Sequence, residues 1–151
     1  MVKLNPALAG AFLLLCSCGP KPTEVGDLNI TEVMFPNGKS VQAETMFREI
    51  DQMRGMMFRD SLAKDRGMLF VHRADEGYPY WMYQVRIPLD IIWMNHDHQI
   101  VEISANTPPC RSKSSRECPS YGGRQKARYV LELAGGGAEL YGLHVGDTLR
   151  F

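Results

Sequence analysis

The chain has 151 residues, 44% hydrophobic and 23% charged, with 17 basic residues balanced by 17 acidic ones. That length and composition fit one globular domain able to bury a core. The charge balance argues against nucleic acid and against a polybasic membrane patch, because phosphate binding needs clustered Lys and Arg. The nearest basic run, Arg111 to Arg116, sits in a Ser-rich loop.

At the start of the chain, Lys3 precedes an apolar run from Ala7 to Leu15, followed by Cys16-Ser17-Cys18-Gly19. A short positive head, an apolar stretch of signal-peptide length and a small residue before the cut are the parts of a translocation signal. The run is too short to span a bilayer. It resembles the bacterial lipoprotein signal, whose lipobox ends in a small residue followed by the modified Cys; Ser17-Cys18 fits and Leu15-Cys16 does not. The resemblance implies that residues 1–17 are removed and that Cys18 carries the lipid. The protein would then be anchored in the bacterial cell envelope, facing the periplasm. Gly19 stands where an Asp would retain a lipoprotein at the inner membrane, so the outer membrane is the expected address.

Residues 18–27 are polar and carry two prolines, as an extended tether would, and a single domain is expected over 28–151. Leu28 to Phe35 and Val41 to Glu44 flank Pro36-Asn-Gly-Lys39 and read as a hairpin, since Asn-Gly supplies the positive φ of a tight turn. Thr45 is the expected cap of a helix to about Arg54. Along it Phe47, Ile50, Met53 and Met57 recur at the spacing of a buried stripe, and Gly55 ends it.

Gly67–His72, Pro79–Gln84 and Leu89–Met94 have the aromatic and aliphatic content of strands, and Asn95–His98 closes a hairpin into Gln99–Ser104. Ala105 to Lys126, with its prolines and two cysteines, reads as an irregular insert. A strand resumes from Arg128 to Leu133, Gly135–Gly137 breaks it before a short helix through Tyr141, and Thr148–Phe151 is the expected last strand. Many short strands and few helical segments give a mainly β fold class, an antiparallel sandwich or barrel-like domain with one or two short helices.

On the export reading, Cys16 leaves with the leader and Cys18 takes the lipid, so Cys110 and Cys118 remain and are expected to form a disulfide. Closing so small a loop is worth about 2–3 kcal/mol. A redox pair or a metal site is the alternative, though the segment between them holds no His.

Five motifs occur in order: Arg54-Gly-Met-Met-Phe-Arg59, Gly67-Met-Leu-Phe70, Trp81-Met82, Ile87-Pro-Leu-Asp-Ile-Ile92 and Tyr129-Val-Leu-Glu-Leu133. Together they resemble the bacterial and archaeal family called domain of unknown function 192, over roughly residues 28–151. The resemblance implies a compact β-rich domain, often exported, with no established activity. Where the family usually has a basic residue, Asn and Thr after Trp-Met, this chain has Tyr83, Gln84 and Val85. Cys110 and Cys118-Pro-Ser-Tyr121 resemble a loop of many exported members, which also supports the disulfide.

Asp90 is the first candidate site residue. Alternation places it on one sheet face with Ile92 and Met94, so its carboxylate needs a partner, with Arg59 or Arg86 expected; the architectural reading is a strand-end acid that fixes the Ile87-Pro88 turn or an arginine, the functional one a pocket acid. A small-ligand or envelope-partner site is read as Arg59, Trp81, Gln84 and Asp90 beside the aromatic run Tyr78, Tyr80, Tyr83. Two alternatives stand beside this non-catalytic reading. One is a hydrolase or isomerase using Asp90 with Arg59; the other is an envelope copper or zinc binder using His96, His98 and a methionine. Most methionines are expected in the core, including Met53, Met56, Met57, Met68, Met82 and Met94. No nucleophile motif, cofactor motif or third metal ligand is legible.

Overall fold

The computed structural model describes residues 29–151. The leader, the proposed lipidation at Cys18 and the tether lie outside the described residues. The first hairpin forms as expected, β1 (Ile30–Met34) pairing antiparallel with β2 (Ser40–Met46), with Gly38 at φ 81 in the turn. β2 then pairs in parallel with β3 (Arg66–Glu76), because the connection between them is long enough to cross over and carries helix α1 (Glu49–Arg54). The remaining pairings are antiparallel: β3 with β8 (Ala127–Ala134), β8 with β5 (Leu89–Met94), and β5 with β6 (Ile100–Thr107). The result is an open six-stranded sheet of order β1-β2-β3-β8-β5-β6, mainly β as expected but mixed rather than wholly antiparallel. A second, two-stranded sheet joins β4 (Tyr80–Trp81) to β7 (Ser120–Tyr121).

All six residues of β5 are buried because the strand lies inside the sheet and both faces are covered. One face gathers Leu69, Ile92, Met94, Leu131 and Leu133 under helix α2 (Gly137–Tyr141) and the C-terminal Leu143 and Leu149. The other gathers Met68, Phe70, Ile91, Trp93 and Val130 under Met56, Met82 and Val85.

The insert is less irregular than its composition implies. β6 runs on to Thr107, Ser115–Glu117 makes a 3-10 turn, and β7 follows. Cys110 and Cys118 are joined by a disulfide with Cα atoms 5.6 Å apart. Cys110 N–H donates to Met82 O at 3.1 Å, so the staple fixes the insert to the segment after β4. Beyond β7 the chain lies on the Trp93 ring: a Cβ on Gly122, at φ 63, would come within 2.3 Å of it.

Four expectations about elements need correction. Thr45 does not cap α1; it is buried in β2, its hydroxyl 2.7 Å from that of Thr31, and Arg48 stands at the cap position without a side-chain cap bond. The stripe on α1 is not buried: Phe47, Ile50 and Met53 are 56%, 67% and 62% exposed. Gln52 ties the helix down instead, its amide donating to Met46 O and Val71 O. The strand expected over Pro79–Gln84 shrinks to Tyr80–Trp81 and has left extended backbone by Gln84, at φ 57. The expected last strand contributes only isolated bridges, Thr148 to Gln99 and Arg150 to Met34.

Candidate functional site

A cleft of about 440 Å³ opens on the sheet face opposite α2, between the end of α1 and the segment Tyr78–Val85. Its walls are mostly apolar and aromatic, including Met56, Phe70, Tyr80, Trp81 and Tyr83, and Glu132 contributes to the lining.

Register explains how an acid comes to be there. Directly paired residues share a face, and one row across the sheet reads Glu44, Met68, Glu132, Ile91. Glu132 therefore sits on a central strand between two apolar side chains. It is 5% exposed and its Oε2 has no hydrogen-bond partner. Burial pushes its carboxyl up to about 8, against the pull of the Arg59 charge. Arg59 is engaged elsewhere, its Nη1 and Nη2 donating to the two carboxylate oxygens of Glu44 at 2.6 and 2.7 Å. The other buried acid of this face, Glu102, is matched in the ordinary way: Arg124 donates to it from Nε at 2.7 Å and from its backbone N–H at 3.1 Å.

Beside Glu132, His72 and Tyr80 are neutral near pH 7. Burial, helped by the Arg128 charge, lowers His72 to about 4. Its ring stacks on Tyr78 with centroids 3.6 Å apart, and Nε2 lies 3.1 Å from the Tyr80 hydroxyl. Burial, and then the Glu132 carboxylate, holds the Tyr80 hydroxyl well above its usual range. The floor of the cleft can thus present a protonated carboxyl, a phenol and a neutral imidazole among rings.

The four residues expected to form a site do not meet. Trp81 lines the cleft, 40% exposed and tilted against Tyr83 with centroids 6.1 Å apart. Arg59 lines an adjacent hollow on the other side of α1, and its charge still reaches Glu132. Gln84 contributes its carbonyl, which accepts from Phe58 N–H at 2.9 Å. Asp90 lies on the α2 face with neither Arg59 nor Arg86 as partner. Its carboxylate accepts three backbone N–H bonds, from Asn106 at 2.7 Å, Gly136 at 3.2 Å and Ala138 at 2.7 Å, while Arg86 pairs with Asp60. The sheet between Asp90 and the cleft removes the expected convergence of Asp90 with Arg59 on which a hydrolase or isomerase reading rested.

His96 and His98 likewise have separate engagements. The first contacts Asp75 at 2.9 Å, and the second stacks on Phe151 with centroids 4.0 Å apart. Met56, Met68, Met82 and Met94 are core residues as expected, whereas Met53 is exposed. Tyr80, expected in the aromatic run beside the site, lines the cleft, whereas Glu132 and His72 are site residues that the sequence reading does not single out. A lone acid in the apolar run Val130-Leu-Glu-Leu133 was the available signal, since alternation gives it the face of Val130.

The model of the family DUF192, described as an uncharacterised ACR, matches residues 32–151. The fold resembles a protein of unknown function from Novosphingobium aromaticivorans DSM 12444, with TM-score 0.74 and 27% identity. That match covers 95% of this chain and 100% of the other. It also resembles a candidate transcription regulator from Sinorhizobium meliloti 1021, with TM-score 0.68 and 27% identity, over 79% of this chain and 89% of the other. No curated protein matches the chain.

Proposed function

We propose that this chain, which belongs to the DUF192 family, is a lipid-anchored envelope protein whose domain binds a small ligand in the cleft between α1 and the Tyr78–Val85 segment. The observation that carries the reading is the cleft itself, an aromatic hollow with an unmatched buried carboxyl in its lining. Sites for small molecules combine apolar walls with a few placed polar groups, and a binding module needs no nucleophile. The leader and Ser17-Cys18 support the envelope address, and a disulfide between Cys110 and Cys118 accords with an oxidising compartment. In this reading Trp81 forms a wall of the site. Arg59 acts on it through charge, and Asp90 serves the architecture behind it.

A thermal-shift panel of small aromatic and aliphatic compounds tests the binding reading. The parent protein is expected to gain several degrees with at least one compound, and Trp81→Ala to lose that gain while still unfolding cooperatively. If no compound shifts the parent, or if the shift survives Trp81→Ala unchanged, the cleft is not the binding site.

A further inference from the structure

Glu132 is an expensive residue in this position. An unmatched buried carboxyl on a central strand costs stability, and a native structure that keeps one calls for an explanation in what the group meets. Within the same face Glu102 shows the usual solution, an arginine at hydrogen-bond distance. Glu132 lacks that solution because the nearby cation, Arg59, is forked onto Glu44.

We propose that the cleft takes an organic cation, a protonated or methylated amine on an apolar body, with its positive nitrogen set against Glu132 and against the ring faces of the cleft. This rests on the reading of the cleft as a ligand site and names the class of ligand. Aromatic faces attract a cation through the ring quadrupole, most strongly where water is excluded, and a carboxylate nearby adds the countercharge. Trp81 and Tyr83, both in the lining, are tilted at 55° rather than stacked face to face, and Met56 and Phe70 give the apolar body a surface to rest on.

The groups that face Glu132 leave room for one positive charge. Arg59 is paired with Glu44 and only its residual charge reaches Glu132, α1 brings one acid, Glu49, and one base, Arg54, His72 of β3 and Tyr80 of β4 are uncharged near pH 7, and Arg128 on the same face of β8 directs its charge at His72. The neighbours in register, Met68 and Ile91, are apolar. An arriving cation therefore supplies the partner that the fold withholds, and Glu132 gives up its proton to solvent as it binds. Affinity for a permanent cation must then rise as pH approaches and passes the range in which Glu132 ionises by itself.

Calorimetric titration of the full chain in detergent with phenethyltrimethylammonium, at pH 6 and pH 9, tests this, because the probe's charge does not titrate. The comparison ligand is its neutral isostere, with carbon in place of the charged nitrogen. The cation is expected to bind at least tenfold more tightly at pH 9 than at pH 6, and the isostere to show no such change. Glu132→Gln should abolish the pH dependence; should that variant not fold, the contrast between the two ligands decides alone. Equal binding of both ligands without pH dependence overturns the cation inference and leaves the cleft as a small-ligand site. Binding of neither, while the compound panel yields a ligand lost in Trp81→Ala, also overturns the cation inference alone. Failure of both experiments overturns the cleft reading with it.

Discussion

Asp90 and Glu132 are buried acids on neighbouring strands, and what meets each carboxylate separates them. Asp90 points to the α2 face and collects three backbone N–H bonds, from the end of β6 and from the start of α2. It thereby holds the turn at Gly136, φ 83, and the helix that caps the core. Charged acceptors on backbone amides are among the stronger hydrogen bonds, and one amide left without its acceptor is costly. Asp90→Asn should therefore destabilise the domain by about 2–3 kcal/mol, read as a lower urea midpoint with unchanged slope. A loss under about 0.5 kcal/mol would show that the three bonds are dispensable. The sequence made Asp90 legible as a buried acid needing a partner but could not name that partner. An arginine and a set of backbone amides answer the same electrostatic need, and only the chain path from β6 to α2 brings the amides.

At the scale of elements, α1 is the instructive failure of periodicity. Phe47, Ile50 and Met53 have the spacing of a buried stripe, yet the helix is only six residues long and docks through Gln52. The buried apolar residue comes after it, Met56, packed with Phe70 and Met82 in the second core cluster. Ile50→Lys is expected to change stability by less than about 0.5 kcal/mol, whereas Met56→Ala should cost about 2–5 kcal/mol. Chemical denaturation of the two variants checks the contrast, and a large loss from Ile50→Lys would mean that α1 packs against the domain after all. The β5–β6 hairpin behaved otherwise, pairing much as its length and its Asn95–His98 turn indicate. Alternation in a strand is enforced by the hydrogen-bonded ladder to its neighbour, here β6 against β5. A short helix can be held by a single polar anchor and turn its apolar side to solvent.

For the whole molecule, the titrations of Glu132 and His72 act on stability with opposite signs. Glu132 has its folded value raised from about 4.5 to about 8, so the native state holds the extra proton and stability falls as pH rises through that interval. His72 has its value lowered to about 4, so its contribution grows as pH rises from there to about 6.5 and is then complete. Between pH 6.5 and 8 only Glu132 of the two still acts, and stability should decline by on the order of 2 kcal/mol. In Glu132→Gln the decline should vanish, as denaturation midpoints across that range would show; a parent curve flat over the same range would contradict a buried, unmatched carboxyl. The amino-acid sequence by itself determined the mainly β class, the first hairpin, the pairing of Leu89–Met94 with the strand after it and the DUF192 resemblance. These rest on local alternation, turn chemistry and ordered motifs, which neighbouring residues carry. Only the tertiary structure decided that Asp90 and Trp81 lie on opposite faces of the sheet, and that Glu132 meets Trp81, Tyr80 and His72 in one cleft. Those juxtapositions come from strand order and from the parallel crossover between β2 and β3, which bring together residues far apart along the chain.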